Sequence, residues 1–217
     1  MLSTTEDAKE GRSPLKKTTC LRAHRVPRGG ELNSATHSKG FTVWLTGLSG
    51  AGKTTAARLL EQRLRDTGAT VEVLDGDLVR ARLSRDLGFS KADRDEHIRR
   101  LGWVCELLSR NGVAAIVAAI SPYRVARDDV RAAVGDFVEV YVECPIEVLV
   151  ARDVKGLYKK AAAGEIQRFT GISDPYEPPL APEVTIHSAR ETPAASVDRI
   201  WAALEAMGLV QSSLRHD

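Results

Sequence analysis

The sequence predicts an α/β fold in which a mainly parallel sheet lies between helices on both faces, with a lid segment over one rim. Three observations predict it. Short apolar runs of strand-forming composition alternate with stretches of helical periodicity along most of the chain. One of these runs, VAAIVAAI from Val113 to Ile120, is apolar at every position, as a parallel strand covered on both faces must be. Finally, Phe41 to Thr55, FTVWLTGLSGAGKTT, passes from strand composition through G-x-x-x-x-G-K-T into a helix. In that setting the glycines let backbone N–H groups turn towards phosphate oxygens, and the helix presents its positive end to the same anion. The string is a phosphate-binding loop, so the chain is expected to bind a nucleoside triphosphate. Lys53 would reach the β/γ-phosphates, and the Thr54 hydroxyl would take a Mg²⁺ position.

From Met1 to about Gly40 the chain is polar, basic and rich in Ser and Thr, with too little apolar surface to offset the entropy of ordering it. Residues 1–40 therefore read as a tail and residues 41–217 as one domain. A transit peptide competes with that reading, but Glu6, Asp7 and Glu10 are acids that such peptides avoid.

After the loop, a helix from about Gly52 to Asp66 is expected to bury Ala56, Leu59, Leu60 and Leu64, with Gly68 stopping it. Thr70 to Leu74 reads as a strand ending in Asp75-Gly76-Asp77, and in an open parallel sheet that end lies on the ligand rim. Asp77 is a candidate N-cap for the helix that follows to Leu83, which leaves Asp75 without a structural task and points to chemistry for it. Ser90 caps the next helix with Asp93 three residues on, and Ile98, Leu101, Cys105 and Leu108 form its core face. Arg94 and His97 share another face, where a solvated surface is the plainer account and anion contact the sharper one.

The all-apolar strand to Ile120 runs into Ser121-Pro122-Tyr123-Arg124, again at the rim, and a helix to about Val134 follows. Phe137 to Glu143 is a further strand, and Pro145 suits the first turn of a short helix to Arg152. Asp153 to Glu177 mixes Lys, Arg, Gly and aromatics without a steady period, as expected of a mobile lid at about 153–177 that brings cations to a phosphoryl-transfer site. Val184 to His187 is the last strand, and Ala195 to Met207 the last helix.

A net charge of +2 over 217 residues, with both signs interspersed, gives no electrostatic case for nucleic acid or a membrane surface. Cys20, Cys105 and Cys144 are too few and too far apart for a disulfide framework or a metal cluster, which suits a reducing cytoplasm. The longest apolar run is far short of a membrane span, and no secretory signal opens the chain. With the phosphate loop first, the element order is that of a P-loop NTPase of the kinase kind. No Asn-Lys-x-Asp string supports a switch GTPase, and the chain is small for a motor ATPase.

The strings GLSGAGKTT, LDGDLVRARLSRDLGFSKADRDEHIRR, AISPYR, RDVKGLYKKAAAGEI and FTGISDPYE, in this order and spacing, resemble the adenylylsulfate kinase (APS kinase) family. The resemblance runs from Phe41 to the terminal helix. It implies ATP and Mg²⁺ as cofactors and transfer of the γ-phosphoryl group to the 3′-hydroxyl of adenosine 5′-phosphosulfate (APS). It implies that Gly47, Leu48, Ser49, Gly50, Ala51, Gly52, Lys53, Thr54 and Thr55 hold the ATP phosphates, and that Arg152 flanks the ATP base. Asp75 matches the catalytic carboxylate, which also organises the metal through water beside Thr54. Arg80 and Arg94 match the arginines that grip the phosphosulfate, and Phe89 and Phe169 the aromatics that sandwich the acceptor adenine. Asp77, His97 and Ile120 stand at acceptor-site positions, Lys155 in the lid, and Ser121 at a serine that carries a phosphate in some members. His97 departs from the family's usual Asn. A homodimer is implied, and a sulfurylase is a possible partner. Two other readings compete: a related kinase with another hydroxylated acceptor, and a nucleotide-binding subunit without catalysis.

Overall fold

The computed structural model describes residues 40–211, and the tail expected over residues 1–40 lies outside them save for Gly40. Five parallel strands, β1 (Thr42–Thr46), β2 (Val71–Asp75), β3 (Ala114–Ala118), β4 (Phe137–Glu143) and β5 (Val184–His187), pair in the order β2-β3-β1-β4-β5. Because all run the same way, their carboxyl ends share one rim. Trp44 pairs with Val117 on one side and Glu139 on the other, so the strand feeding the phosphate loop is flanked by β3 and β4.

The helices are α1 (Lys53–Asp66), α2 (Gly76–Leu83), α3 (Lys91–Ser109), α4 (Arg124–Val134), α5 (Ile146–Arg152), α6 (Leu157–Ala162) and α7 (Pro193–Ala206). Alternation along each strand sends its side chains into two cores. Val43, Leu45 and Ile116 meet Ala57, Leu60 and Leu64 of α1 and Ile200 and Leu204 of α7. Trp44, Ala115 and Val117 meet Ile98, Leu101 and Cys105 of α3 and Val130 of α4. Helices thus cover both faces, as the sequence predicts.

Several local expectations change. Leu59 is 42% exposed, not core, because the buried stripe of α1 follows Ala56, Ala57, Leu60 and Leu64 and Leu59 falls off it. Pro145 is the N-cap of α5 and not its first helical residue. The lid contains a six-residue helix, α6, entered through Gly156 at φ 65; six residues are too few to show a period. The capping box Ser90/Asp93 is present as expected.

Candidate active site

The sequence places a helix start after each of the first three strands of the sheet order's left half, and these junctions enclose a cavity of about 310 Å³ on the rim. The phosphate loop forms one wall. Gly47 has φ 148, and a Cβ there would lie 2.5 Å from the Val142 carbonyl, so only glycine lets the loop leave β1 against β4. Ser49, Gly50, Gly52, Lys53, Thr54 and Thr55 line the cavity, whereas Gly47, Leu48 and Ala51 do not. Ala51 is fully buried under the loop.

Lys53 is 8% exposed, and its Nζ donates to the carbonyls of Gly47 at 2.8 Å and Leu48 at 2.7 Å. Burial pulls its pKa down to about 8 against the opposing pull of Asp77 and Asp75. An ammonium held this way is poised for an anion that would restore its charge.

Opposite stands the end of β2. Asp75, not Asp77, is the N-cap of α2: its Oδ1 accepts from the backbone N–H of Asp77 at 3.0 Å and of Leu78 at 3.4 Å. The helix starts two residues earlier than expected, at Gly76, so the cap moves back with it. Asp75 therefore does have a structural task, contrary to the expectation from sequence. Its second oxygen, Oδ2, accepts from the Thr54 hydroxyl at 3.2 Å, which joins the two strand ends at one point. A hydroxyl and a carboxylate oxygen this close form a hard oxygen pair of the kind Mg²⁺ takes beside phosphates, so the residues present fit that ion. No group of three or more His, Cys, Asp or Glu side chains set to hold a metal occurs among the described residues.

The acceptor wall comes from α2 and α3. Arg80 donates to the Gly88 carbonyl at 2.8 Å and lies over the Phe89 ring at 4.7 Å, and Arg94 lies over the same ring at 5.5 Å. Arg94 also donates to the Phe89 carbonyl at 3.1 Å and to the Arg168 carbonyl of the lid. Arg94 and His97 both line the cavity, and His97 is only 6% exposed, so the solvated face that composition favoured is not what forms. The reason is that α2 packs against this end of α3, so that His97 meets buried Ser84 while Arg94 turns onto the Phe89 ring. Burial first, then the positive charge of Arg80, pushes the His97 imidazole down to about 4.

Ile120 and Ser121 reach the cavity from the end of β3. Ser121 sits at φ 41, a conformation L residues rarely adopt, and its hydroxyl is committed to the core. Trp44 Nε1 donates to it at 3.0 Å, and it donates to Thr46 Oγ1 at 3.0 Å. Ser121 is 2% exposed, on the inner wall of the cavity. Arg127 holds the strained turn by donating to the Ser121 carbonyl at 2.6 Å, and it also pairs with Glu139 at 2.7 Å.

From the lid, Val154 and Lys155 close the mouth, and Lys155 Nζ reaches Asp77 at 2.7 Å. Phe169 is elsewhere: it is 8% exposed, packed edge-on against Tyr158 at 5.0 Å, and absent from the cavity wall. The expected pair of rings about one base is not formed, because the Tyr158 contact draws Phe169 into the core while Phe89 stays 56% exposed. Arg152 is also off the wall and donates to the Ser188 carbonyl at 3.2 Å, beside Gly52 of the loop. Sequence reasoning missed Val154, Arg127 and Ser84. Ser84 is fully buried and meets His97 Nδ1 at 3.0 Å, a partnership across a turn that no local pattern announces.

The profile of the family described as adenylylsulphate kinase matches residues 39–187. An adenylyl-sulfate kinase from Rippkaea orientalis (strain PCC 8801 / RF-1) is 61% identical over 170 residues, 78% of this chain and 94% of that protein. A probable bifunctional SAT/APS kinase 2 from Sorangium cellulosum (strain So ce56) is 57% identical over 79% of this chain but only 29% of its own length. Among solved structures, the Mycobacterium tuberculosis APS kinase in complex with AMPPNP and APS superposes with a TM-score of 0.74 at 44% identity, covering 77% of this chain and 98% of that one.

Proposed function

The chain belongs to the adenylylsulfate kinase family, and from that premise we propose how its own residues carry out the reaction. It is an ATP-dependent kinase that transfers the γ-phosphoryl group of ATP to the 3′-hydroxyl of APS, giving 3′-phosphoadenosine 5′-phosphosulfate (PAPS) and ADP. One observation carries the assignment of roles: the phosphate loop, Asp75 and the Arg80–Phe89–Arg94 group all face a single cavity.

In that cavity Gly50, Gly52, Lys53, Thr54 and Thr55 bind the triphosphate, with Arg152 beside the base. Asp75 aligns the acceptor hydroxyl and takes up its proton as the new P–O bond forms and the bond from Pγ to the β-phosphate oxygen breaks. Arg80 and Arg94 hold the phosphosulfate by paired donors, and Phe89 stacks on the acceptor base. Thr54 and Asp75, the latter through water, would hold Mg²⁺, which neutralises charge on the transferring phosphoryl oxygens when bound. Lys155 turns from Asp77 to the phosphates on closure. Phe169 would join Phe89 only if the lid turn moved.

No described helix is long and apolar enough to cross a membrane, and the free thiols of Cys105 and Cys144 suit residence in the cytoplasm. The bifunctional relative supports contact with a sulfurylase. The test is release of ADP and formation of PAPS by the full chain with MgATP and APS. ATP consumption indifferent to APS would overturn the assignment.

A further inference from the structure

His97 departs from the Asn expected at its position, and its surroundings explain what an imidazole does there. The ring lies on the cavity wall, yet its nitrogens are engaged by protein. Nδ1 is 3.0 Å from the hydroxyl of Ser84, the C-cap residue of α2. The Gly76 backbone, at the first turn of α2, also faces the ring and makes it more basic, as a carbonyl beside a ring N–H does. One side chain of α3 therefore holds the C-cap of α2 and faces its first turn.

We propose that Ser84 and His97 are a positioning pair for the phosphoryl-transfer site: Ser84 donates to Nδ1, fixing the Nε2–H tautomer, and the ring braces α2 so that Asp75 at its head keeps its place. His97 is on this view a brace and not a donor to the acceptor. α2 has a capped N-terminus in Asp75, only Gly76 buried along its length, and a single apolar side chain, Val79, packed against the core. A helix seated so weakly needs polar ties to hold the carboxylate at its head. The groups facing the ring are Arg80 and Asp77 from α2 and Arg100 from its own helix. Burial, with two cations set against one anion, keeps it neutral, as the tautomer requires.

The inference rests on the kinase reading, and the experiment separates their failures. In the full chain labelled with ¹⁵N-histidine, long-range ¹H–¹⁵N spectra at pH 7 should show His97 protonated on Nε2 and bare at Nδ1, with the same tautomer after APS is added. Ser84→Ala should lower kcat about 3- to 10-fold, the range of one net hydrogen bond, while the KM for APS stays within about 2-fold. His97→Asn, too short to span both ties, should show the same split. A proton on Nδ1 in the wild type, or a rise in APS KM with kcat unchanged in either variant, overturns the brace. Absence of PAPS formation by the wild type would instead overturn the kinase reading and leave the tautomer result standing.

Discussion

Asp75 divides one carboxylate between two tasks, since Oδ1 caps α2 while Oδ2 meets Thr54. Asn caps a helix as well as Asp does, so Asp75→Asn should keep the melting temperature within about 2 °C while kcat falls at least about 100-fold, a loss of the size seen when a transition-state contact is removed. Asp75→Ala should lose the cap as well, about 1 kcal/mol, and calorimetry beside kinetics will separate the two. Lys53 makes a second prediction. Its pKa is near 8 in the free protein, and a triphosphate beside Nζ raises it again, so nucleotide binding between about pH 8 and 10.5 should take up a proton. Titration calorimetry in buffers of different ionisation enthalpy measures it, and Lys53→Ala should abolish the uptake together with turnover. For His97 the folded pKa of about 4 lies below the ordinary 6.5. As pH falls through that window the unfolded chain gains a proton that the folded one refuses, so stability drains away towards acid. The wild type should lose melting temperature faster than His97→Asn between pH 6.5 and 4.5. Lys53 and Asp75 were legible in the sequence because their motifs are local. Ser84 was not, since its meaning depends on a ring thirteen positions away that only packing brings near.

At the scale of elements, α3 and α4 cross closely. A Cβ on Gly102 would stand 2.5 Å from Val130 Cγ2, so Gly102→Ala should cost about 1–3 kcal/mol by overpacking and lower the melting temperature by roughly 2–4 °C per kcal/mol. Thermal unfolding will show it, with kcat little changed. The strands are legible in the sequence nearly residue for residue, because β3 is apolar on both faces, β4 alternates, and both are bounded by clear breaks. The lid was not, for α6 is one and a half turns long and takes its place from Tyr158, whose hydroxyl donates to the Ser49 carbonyl of the phosphate loop at 2.9 Å. The same anchoring explains why Phe169, read as half of a clamp, lies under the lid and not in the cavity.

For the molecule as a whole, the Rippkaea orientalis relative matches this chain over about four-fifths of its length and over nearly all of its own. A protein starting at residue 36 should therefore keep kcat/KM for APS within about 3-fold of the full chain. A larger loss would assign the first segment a direct part in turnover. The presence of a parallel sheet was legible in the alternation of elements, but the strand order was not, since it is decided by which crossovers return to which edge of β1. That order has a cost during synthesis. β1 emerges early, yet both of its neighbours are made later, β4 almost a hundred residues on. At about 5–20 residues per second, an apolar ribbon with two bare edges waits on the order of ten seconds on the ribosome before its second partner arrives. The nascent chain is thus most prone to aggregate through the segment that will later cradle the nucleotide, and folding helpers that shield Phe41 to Leu45 should raise the yield of active enzyme more than any that act after release.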